Sequence, residues 1–330
     1  MSGKEHKPLL SAIVPCYNEQ DNVELFYTTF ANEFDESEFD YQLVFVDDGS
    51  KDQTLTRLRS IAESHPHVRV ISFSRNFGKE SAVWAGLNNA DGDYVAIIDA
   101  DLQQQPQDLL NMARILERDD SYEVVAAYQE ERRENPAIAF FKGCFYKVMD
   151  SMTATPVIGN ASDFRVFRRV VADAILSLPE YYRFSKGIFS WVGFNTYAYP
   201  YVPSERNSGE SKWNFIKLLK YAIEGLVSFS TSPLRWATYL GSTTSLIAFV
   251  YFVVVLIQKL CFGVDIPGYP TLVCLILLLG GIQLLVLGIF GEYMGRMYVQ
   301  GKNRPLYRGS PIRVGRPKEE CKLELHWGIT

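Results

Sequence analysis

The sequence predicts an α/β protein in which a mostly parallel sheet is followed by membrane-associated helices, and three observations carry that prediction. Short apolar runs alternate with helical stretches of about ten residues from Ser11 to Tyr128, the pattern of βαβ units with right-handed crossovers. Acids close the strands, at Asn18-Glu19, Asp47-Asp48 and Asp99-Ala100-Asp101, where ligands of open α/β sheets bind. Finally, Trp236 to Gln258 and Thr271 to Gly291 contain no charged residue. At about 1.5 Å per residue, each can cross the roughly 30 Å hydrocarbon core of a bilayer.

In chain order, Ser11 to Tyr17 is a strand, and Asn22 to Phe30 follows as a helix with acids at its start. Tyr41 to Val46 is the second strand, with the helix Gln53 to Glu63 behind it, and Val68 to Phe73 is the third, leading to a helix of small residues that ends at Ala90. Tyr94 to Ile98 is the fourth. Its closing pair, Asp99 and Asp101, would repel unless a cation sat with them, and oxygen-only ligands suit a hard ion such as Mg2+ or Mn2+ that also binds a diphosphate. The plainer alternative is a strand-end turn with two solvated acids. Pro106 to Arg118 is a helix opened by proline in its first turn, and Tyr122 to Tyr128 is the fifth strand. Neither G-x-G-x-x-G nor G-x-x-x-x-G-K-[ST] occurs, which argues against a dehydrogenase or a P-loop nucleotidase.

From Trp213 to Ser230, Ile216, Leu219, Ile223, Leu226 and Val227 recur at helical spacing opposite Lys217, Lys220 and Glu224, an amphipathic helix suited to the headgroup plane. Arg235 precedes the first apolar run, and Arg296, Lys302, Arg304 and Arg308 follow the second, whereas the turn between them holds Lys259 alone. By the positive-inside rule both ends are expected in the cytoplasm. The domains expected are 1–205 for the catalytic unit, 206–235 for the interfacial loop and helix, 236–293 for a two-helix hairpin and 294–330 for a basic tail. Small residues at Gly280, Gly281, Gly288 and Gly291 suggest helix association, hence a homo-oligomer such as a tetramer, although they could equally serve packing within the chain's own hairpin.

Composition narrows the classes. The 330 residues are 47% hydrophobic, ample for a core, and a net charge of −5 without a basic aromatic module gives no reason to expect nucleic acid. Five cysteines without a C-x-x-C pair argue against a disulfide framework or zinc site, and no secretory signal opens the chain, so a cytosolic first domain is expected. The four histidines lie away from the acidic strand ends and receive no catalytic role.

Four stretches, Ser11-Ala-Ile-Val-Pro-Cys-Tyr-Asn-Glu, Val46-Asp-Asp-Gly-Ser-Lys-Asp-Gln-Thr, Ser74-Arg-Asn-Phe-Gly-Lys and Asp99-Ala-Asp-Leu-Gln, resemble family 2 glycosyltransferases of GT-A fold. With Ser162-Asp-Phe-Arg-Val-Phe-Arg-Arg, Arg183-Phe-Ser-Lys-Gly, Arg206-Asn-Ser-Gly-Glu-Ser-Lys-Trp and the paired apolar runs, the chain is similar to polyprenyl-phosphate glycosyltransferases, both bactoprenol glucosyltransferases and dolichyl-phosphate mannose synthases.

That resemblance implies an inverting transfer of one sugar, glucose from UDP-glucose being the first choice, to undecaprenyl phosphate at the membrane. The product would be a lipid-linked donor for surface polymers. The resemblance further implies a metal on Asp99, Asp101 and Gln103, and a donor nucleotide against Pro15, Tyr17, Glu19, Asp47, Asp48, Lys79 and Asp99. Asp163 matches the position proposed as base in bacterial members, acting with Asp101, Arg206 and Lys212, while Arg183, Lys186 and Arg132 would receive the acceptor phosphate. Two departures stand out. Tyr128-Gln129 occupy the place where relatives often carry arginine, and Ser232-Pro-Leu-Arg-Trp lacks the glutamine of the Q-x-x-R-W found in processive synthases. A donor such as GDP-mannose, paired with dolichyl phosphate, or another UDP-sugar is the alternative within the class. Outside it stands a non-catalytic scaffold or nucleotide-sugar sensor.

Overall fold

The structure, a computed structural model, describes residues 7–129, 161–183, 185–204, 232–262 and 268–312. Strand β1 (Leu9–Cys16) explains why the opening residues read as a nearly unbroken apolar run. Leu10, Ala12 and Val14 pack into one cluster with Phe26, Phe30 and Leu109, whereas Ile13 packs on the opposite face with Val83 and Leu87. Strand β4 (Tyr94–Ile97) divides in the same way, Ala96 to one side and Val95 and Ile97 to the other. A strand covered on both faces has no polar alternation to show, and full burial of each large apolar side chain contributes about 1.5–3 kcal/mol.

The covering helices are α1 (Val23–Phe34), α2 (Thr54–Ser64) and α4 (Pro106–Arg118) on the first face, and α3 (Lys79–Leu87), α5 (Arg169–Leu176) and α6 (Ser185–Val192) on the second. The remaining strands are β2 (Asp40–Asp47), β3 (Val68–Phe73), β5 (Val124–Gln129), β6 (Ala161–Arg168), β7 (Thr196–Tyr201) and β8 (Gly309–Ile312). The described residues form one sheet in the order β7-β5-β6-β4-β1-β2-β3-β8. Strand β1 pairs in parallel with β2 on one side and β4 on the other, which puts the reversal of strand order between β1 and β4. A crevice opens at such a point, beyond the carboxyl ends of the strands.

The sheet is mostly parallel, as the sequence predicts, with antiparallel pairings on its flanks. Strand β6 runs antiparallel to β4 and to β5, β7 pairs in parallel with β5, and β8 runs antiparallel to β3. The two edge strands each carry a proline, Pro200 in β7 and Pro311 in β8. Proline withholds a donor and so blunts an edge against further pairing.

Two long helices, α7 (Ser232–Phe262) and α8 (Tyr269–Gly301), are apolar and long enough to cross a membrane over Leu234–Val255 and Leu278–Gly301. Residues 294–301, expected in the basic tail, continue α8, and the chain then returns to the sheet. The return is well tied: Ser74 N–H donates to the Arg308 carbonyl at 2.9 Å, and Tyr307 stacks on Phe73 with centroids 4.6 Å apart. The amphipathic stretch Trp213 to Ser230 lies outside the described residues. His65 and His67 pack against Tyr27 beside the start of β3, at the amino ends of the strands and away from the acids.

Candidate active site

Four loops, after β1, β2, β3 and β4, meet at the switch point, and the sequence explains how each is held. After β1, Asn18 takes a left-handed φ of 55° and its side-chain oxygen accepts the Lys51 N–H at 2.9 Å. Glu19 N–H donates to Thr54 Oγ1 at 2.8 Å, which stitches the first loop to the second. After β2, Gly49 adopts φ 67°, and a Cβ there would lie 2.4 Å from the Arg75 carbonyl carbon, so only glycine lets the second and third loops approach this closely. Asp48 fastens them from the other side, its two carboxylate oxygens accepting the N–H groups of Phe77 at 2.6 Å and Gly78 at 2.9 Å.

The loops enclose a cleft of about 350 Å³, within the range of small-molecule sites. Of the residues expected around a donor nucleotide, Pro15, Tyr17, Glu19, Asp48, Lys79 and Asp99 line it, together with Asp101. Asp47 and Gln103 are not among its lining residues. Asp47 instead lies buried at the strand end, where its Oδ1 accepts the Ser50 N–H at 3.3 Å. Burial raises the pKa of both Asp47 and Asp48, the hydrogen bonds they accept working against it.

Lys79, at the first position of α3, is the electrostatic centre. Its Nζ lies 2.6 Å from Asp99 Oδ1 and 3.5 Å from Asp163 Oδ2. Burial alone would lower its pKa, but the two carboxylates outweigh that and hold the ammonium above its ordinary range. Asp99 is held from behind as well: its N–H donates to Gln104 Oε1 at 2.9 Å, and Gln104 Nε2 donates back to Asp99 Oδ2 at 3.4 Å. The turn after Asp101 puts Leu102 at φ 58°, a strained conformation for a branched side chain, and Asp101 Oδ1 accepts the Gln103 N–H at 3.2 Å. The Gln103 carbonyl accepts the Ser204 N–H at 3.1 Å, bringing the chain after β7 onto this loop.

Asp163 reaches the site from β6. On the same face two residues on, Arg165 is buried beneath α6, its guanidinium 4.3 Å from the Phe189 ring centroid, and burial pushes its pKa down to about 10. A second, much smaller cavity is lined by Lys79, Glu80, Asp163 and Ser185. Arg183 lines neither cavity; its guanidinium stacks 4.0 Å from the Trp84 ring. Lys186 lies in α6. Arg132, Arg206 and Lys212 lie outside the described residues. Sequence reasoning missed Gln104, Glu80 and Arg165. Gln104 is the middle member of the run Gln103-Gln104-Gln105, in which the resemblance singled out the first.

Among the described residues no group of three or more His, Cys, Asp or Glu converges as a metal cage. Asp99 and Asp101 nevertheless face one cleft with hard oxygen donors. That set fits a Mg2+ or Mn2+ ion that takes one or two carboxylates from protein and the rest of its shell from phosphate and water.

An open sheet with this switch point and an acid-lined cleft at its strand ends is a GT-A-like α/β fold, and the chain is a glycosyltransferase. It belongs to glycosyl transferase family 2, whose sequence model matches residues 11–176. It is 41% identical over 310 residues to the bactoprenol glucosyl transferase of Shigella phage SfII, covering 92% of this chain and 99% of that protein. An uncharacterized glycosyltransferase of Synechocystis sp. is 40% identical over 307 residues, covering 92% of this chain and 95% of that one. Among solved structures, glucosyl-3-phosphoglycerate synthase from Mycobacterium tuberculosis with Mn2+, UDP-glucose and phosphoglyceric acid overlaps with a TM-score of 0.48 at 18% identity, covering 67% of this chain and 79% of that one.

Proposed function

We propose that this enzyme transfers a single glucose from UDP-glucose to undecaprenyl phosphate at the cytoplasmic face of a membrane. The observation that carries the reading is the meeting of Lys79, Asp99 and Asp163 beside the cleft, in a chain whose sheet is closed by the strand following two apolar helices. The 41% identity to a bactoprenol glucosyl transferase supports both the lipid acceptor and the sugar.

In this reading Pro15, Tyr17, Glu19 and Asp48 receive the nucleoside, and the diphosphate lies toward Asp99 and Asp101. A Mg2+ or Mn2+ ion held by those two carboxylates would supply Lewis-acid stabilisation of the departing diphosphate. Lys79 adds a fixed positive charge at the same place. An acceptor phosphate oxygen attacks the anomeric carbon from the opposite face, its lone pair forming the new bond as the pair of the old one leaves with the diphosphate, which inverts the centre. A phosphate monoester carries about two negative charges near neutral pH and needs little help from a base. Asp163, paired with Lys79, therefore orients the sugar or acceptor rather than chiefly removing a proton.

Helix α8 supports the membrane assignment through its length. Its 33 residues extend about 50 Å, some 20 Å more than a hydrocarbon core, so a crossing over the uncharged run 271–291 would leave the last turns, where Glu292 and Arg296 pair at 3.2 Å, outside it. Those turns would emerge on the side of the sheet.

The test offers radiolabelled UDP-glucose, other UDP-sugars and GDP-mannose to the purified full chain with undecaprenyl phosphate and Mg2+ or Mn2+. Glucose transfer that falls on the order of a thousandfold in Asp101→Ala, with unaltered thermal unfolding, is expected. Transfer from another donor alone would overturn the glucose assignment, and undiminished turnover in Asp101→Ala would overturn the metal one.

A further inference from the structure

We infer that Glu80 and Gln300 are positioning residues for the acceptor side of the site, fixing between them residues 179–183 and Ser185, with Arg183 among them. The inference rests on the acceptor being a lipid phosphate, as proposed above, and on Arg183 receiving it, as the resemblance implies.

Glu80 follows Lys79 on α3, yet its carboxylate turns to a different element. Its two oxygens accept the Ser185 N–H at 3.1 and 3.2 Å, and the Ser185 hydroxyl donates to Oε2. Ser185 opens α6, so this N–H has no partner within its helix, and a negative charge there also meets the positive end of the helix dipole. The cap is thus supplied in trans, from the helix that begins at the donor cleft. Glu80 and Ser185 further share the small cavity with Lys79 and Asp163.

Gln300 holds the other end. It lies in the last turn of α8, where its Oε1 accepts the Tyr181 N–H at 2.7 Å and its Nε2 donates to the Pro179 carbonyl at 2.8 Å. One amide thus satisfies both a donor and an acceptor of the loop. One turn earlier, the Arg296 guanidinium lies 5.1 Å from the Tyr182 ring centroid. Between these two anchors Arg183 stacks on Trp84 and donates to the Leu178 carbonyl at 2.9 Å. Neither Glu80 nor Gln300 lines the donor cleft. Loosening either anchor should therefore disturb the acceptor groups and leave nucleotide binding alone.

The experiment compares the full-length wild type with Gln300→Ala, Gln300→Glu and Glu80→Gln in lipid nanodiscs, using UDP-glucose, Mg2+ and undecaprenyl phosphate. Gln300→Ala is expected to raise KM for undecaprenyl phosphate about tenfold while the Kd for UDP stays within about twofold, as loss of two hydrogen bonds at one loop would give. Gln300→Glu, which keeps the acceptor for Tyr181 N–H, should recover part of the loss. Amide hydrogen exchange over 179–186 should quicken in Gln300→Ala and Glu80→Gln. Unchanged exchange there, or equal loss of UDP affinity and acceptor KM, would overturn the inference. Should the wild type transfer nothing to undecaprenyl phosphate, the functional reading fails, and the exchange measurement alone decides whether these residues hold the segment.

Discussion

The sheet and the two long helices are built from the same apolar side chains and put them to opposite use. Ile13, Phe45 and Val95 are 0% exposed, whereas Leu246 and Phe249 on α7 both stand 64% exposed. In water a surface of that kind would drive association, because isolated soluble proteins rarely show large contiguous apolar patches. The two regions are therefore suited to different solvents, and the difference teaches that apolar content alone says little until the surroundings of each residue are known. Glycine makes the same point. A Cβ on Gly86 would meet Ile13 Cγ2 at 2.2 Å, whereas nothing lies within 4 Å of one on Gly280 or Gly281.

The sharpest way to break the contrast is to empty both regions. Phe45→Ala should cost about 3–5 kcal/mol in denaturant unfolding, while Leu246→Ala should be nearly silent; equal costs would erase the distinction. A charge probes the second region directly. Leu246→Lys should oppose membrane insertion by about 2.5–3.5 kcal/mol, read as the fraction of chain surviving carbonate extraction with the membranes. Next comes the backbone: Gly49→Ala should lower unfolding stability by about 1–3 kcal/mol because φ 67° and the Arg75 backbone both oppose a side chain. Gly280→Ala should be neutral or stabilising.

The smallest effect is expected at a water-facing ion pair. Arg114 grips Glu38 with bonds of 2.7 and 3.0 Å, and its hydrogen bonds push the Glu38 pKa from 4.5 to about 2. A depressed carboxyl stabilises the fold above its unfolded pKa, and that contribution fades as pH falls from about 4.5 towards 2. Glu38→Gln should thus cost under about 1 kcal/mol at pH 7, since the pair is solvent-screened, and the gap to wild type should close in that acid window.

The parallel half was legible because its rules are local. Strands β1 to β4 are short apolar runs, each closing on the polar residues that form the loops of the cleft, and Pro106 marks the start of α4. The later strands follow other rules. Asp163, Arg165 and Arg168 interrupt β6, and Arg165 is buried against Phe189 with the carboxylates of Asp163 and Glu80 acting on it, a tertiary arrangement that no periodicity announces. Strands β7 and β8 hold proline, and β8 is only Gly-Ser-Pro-Ile, which reads as a loop until its partner is known. Within the site, the acids were legible as a strand-end pattern. Gln104 and Glu80 were not, because each acts on a neighbour through geometry: Gln104 on Asp99, Glu80 on Ser185.

Strand β8 also imposes an order on biogenesis. The edge of β3 at Val70 is made early by the ribosome, but its partner Ile312 is translated only after both long helices. Throughout that interval the edge stays bare, the condition in which strands recruit wrong neighbours. If one of the two helices crossed a bilayer and the other did not, Gly309–Ile312 would lie on the far side from β3. Closure of the sheet therefore requires that both helices cross or that neither does.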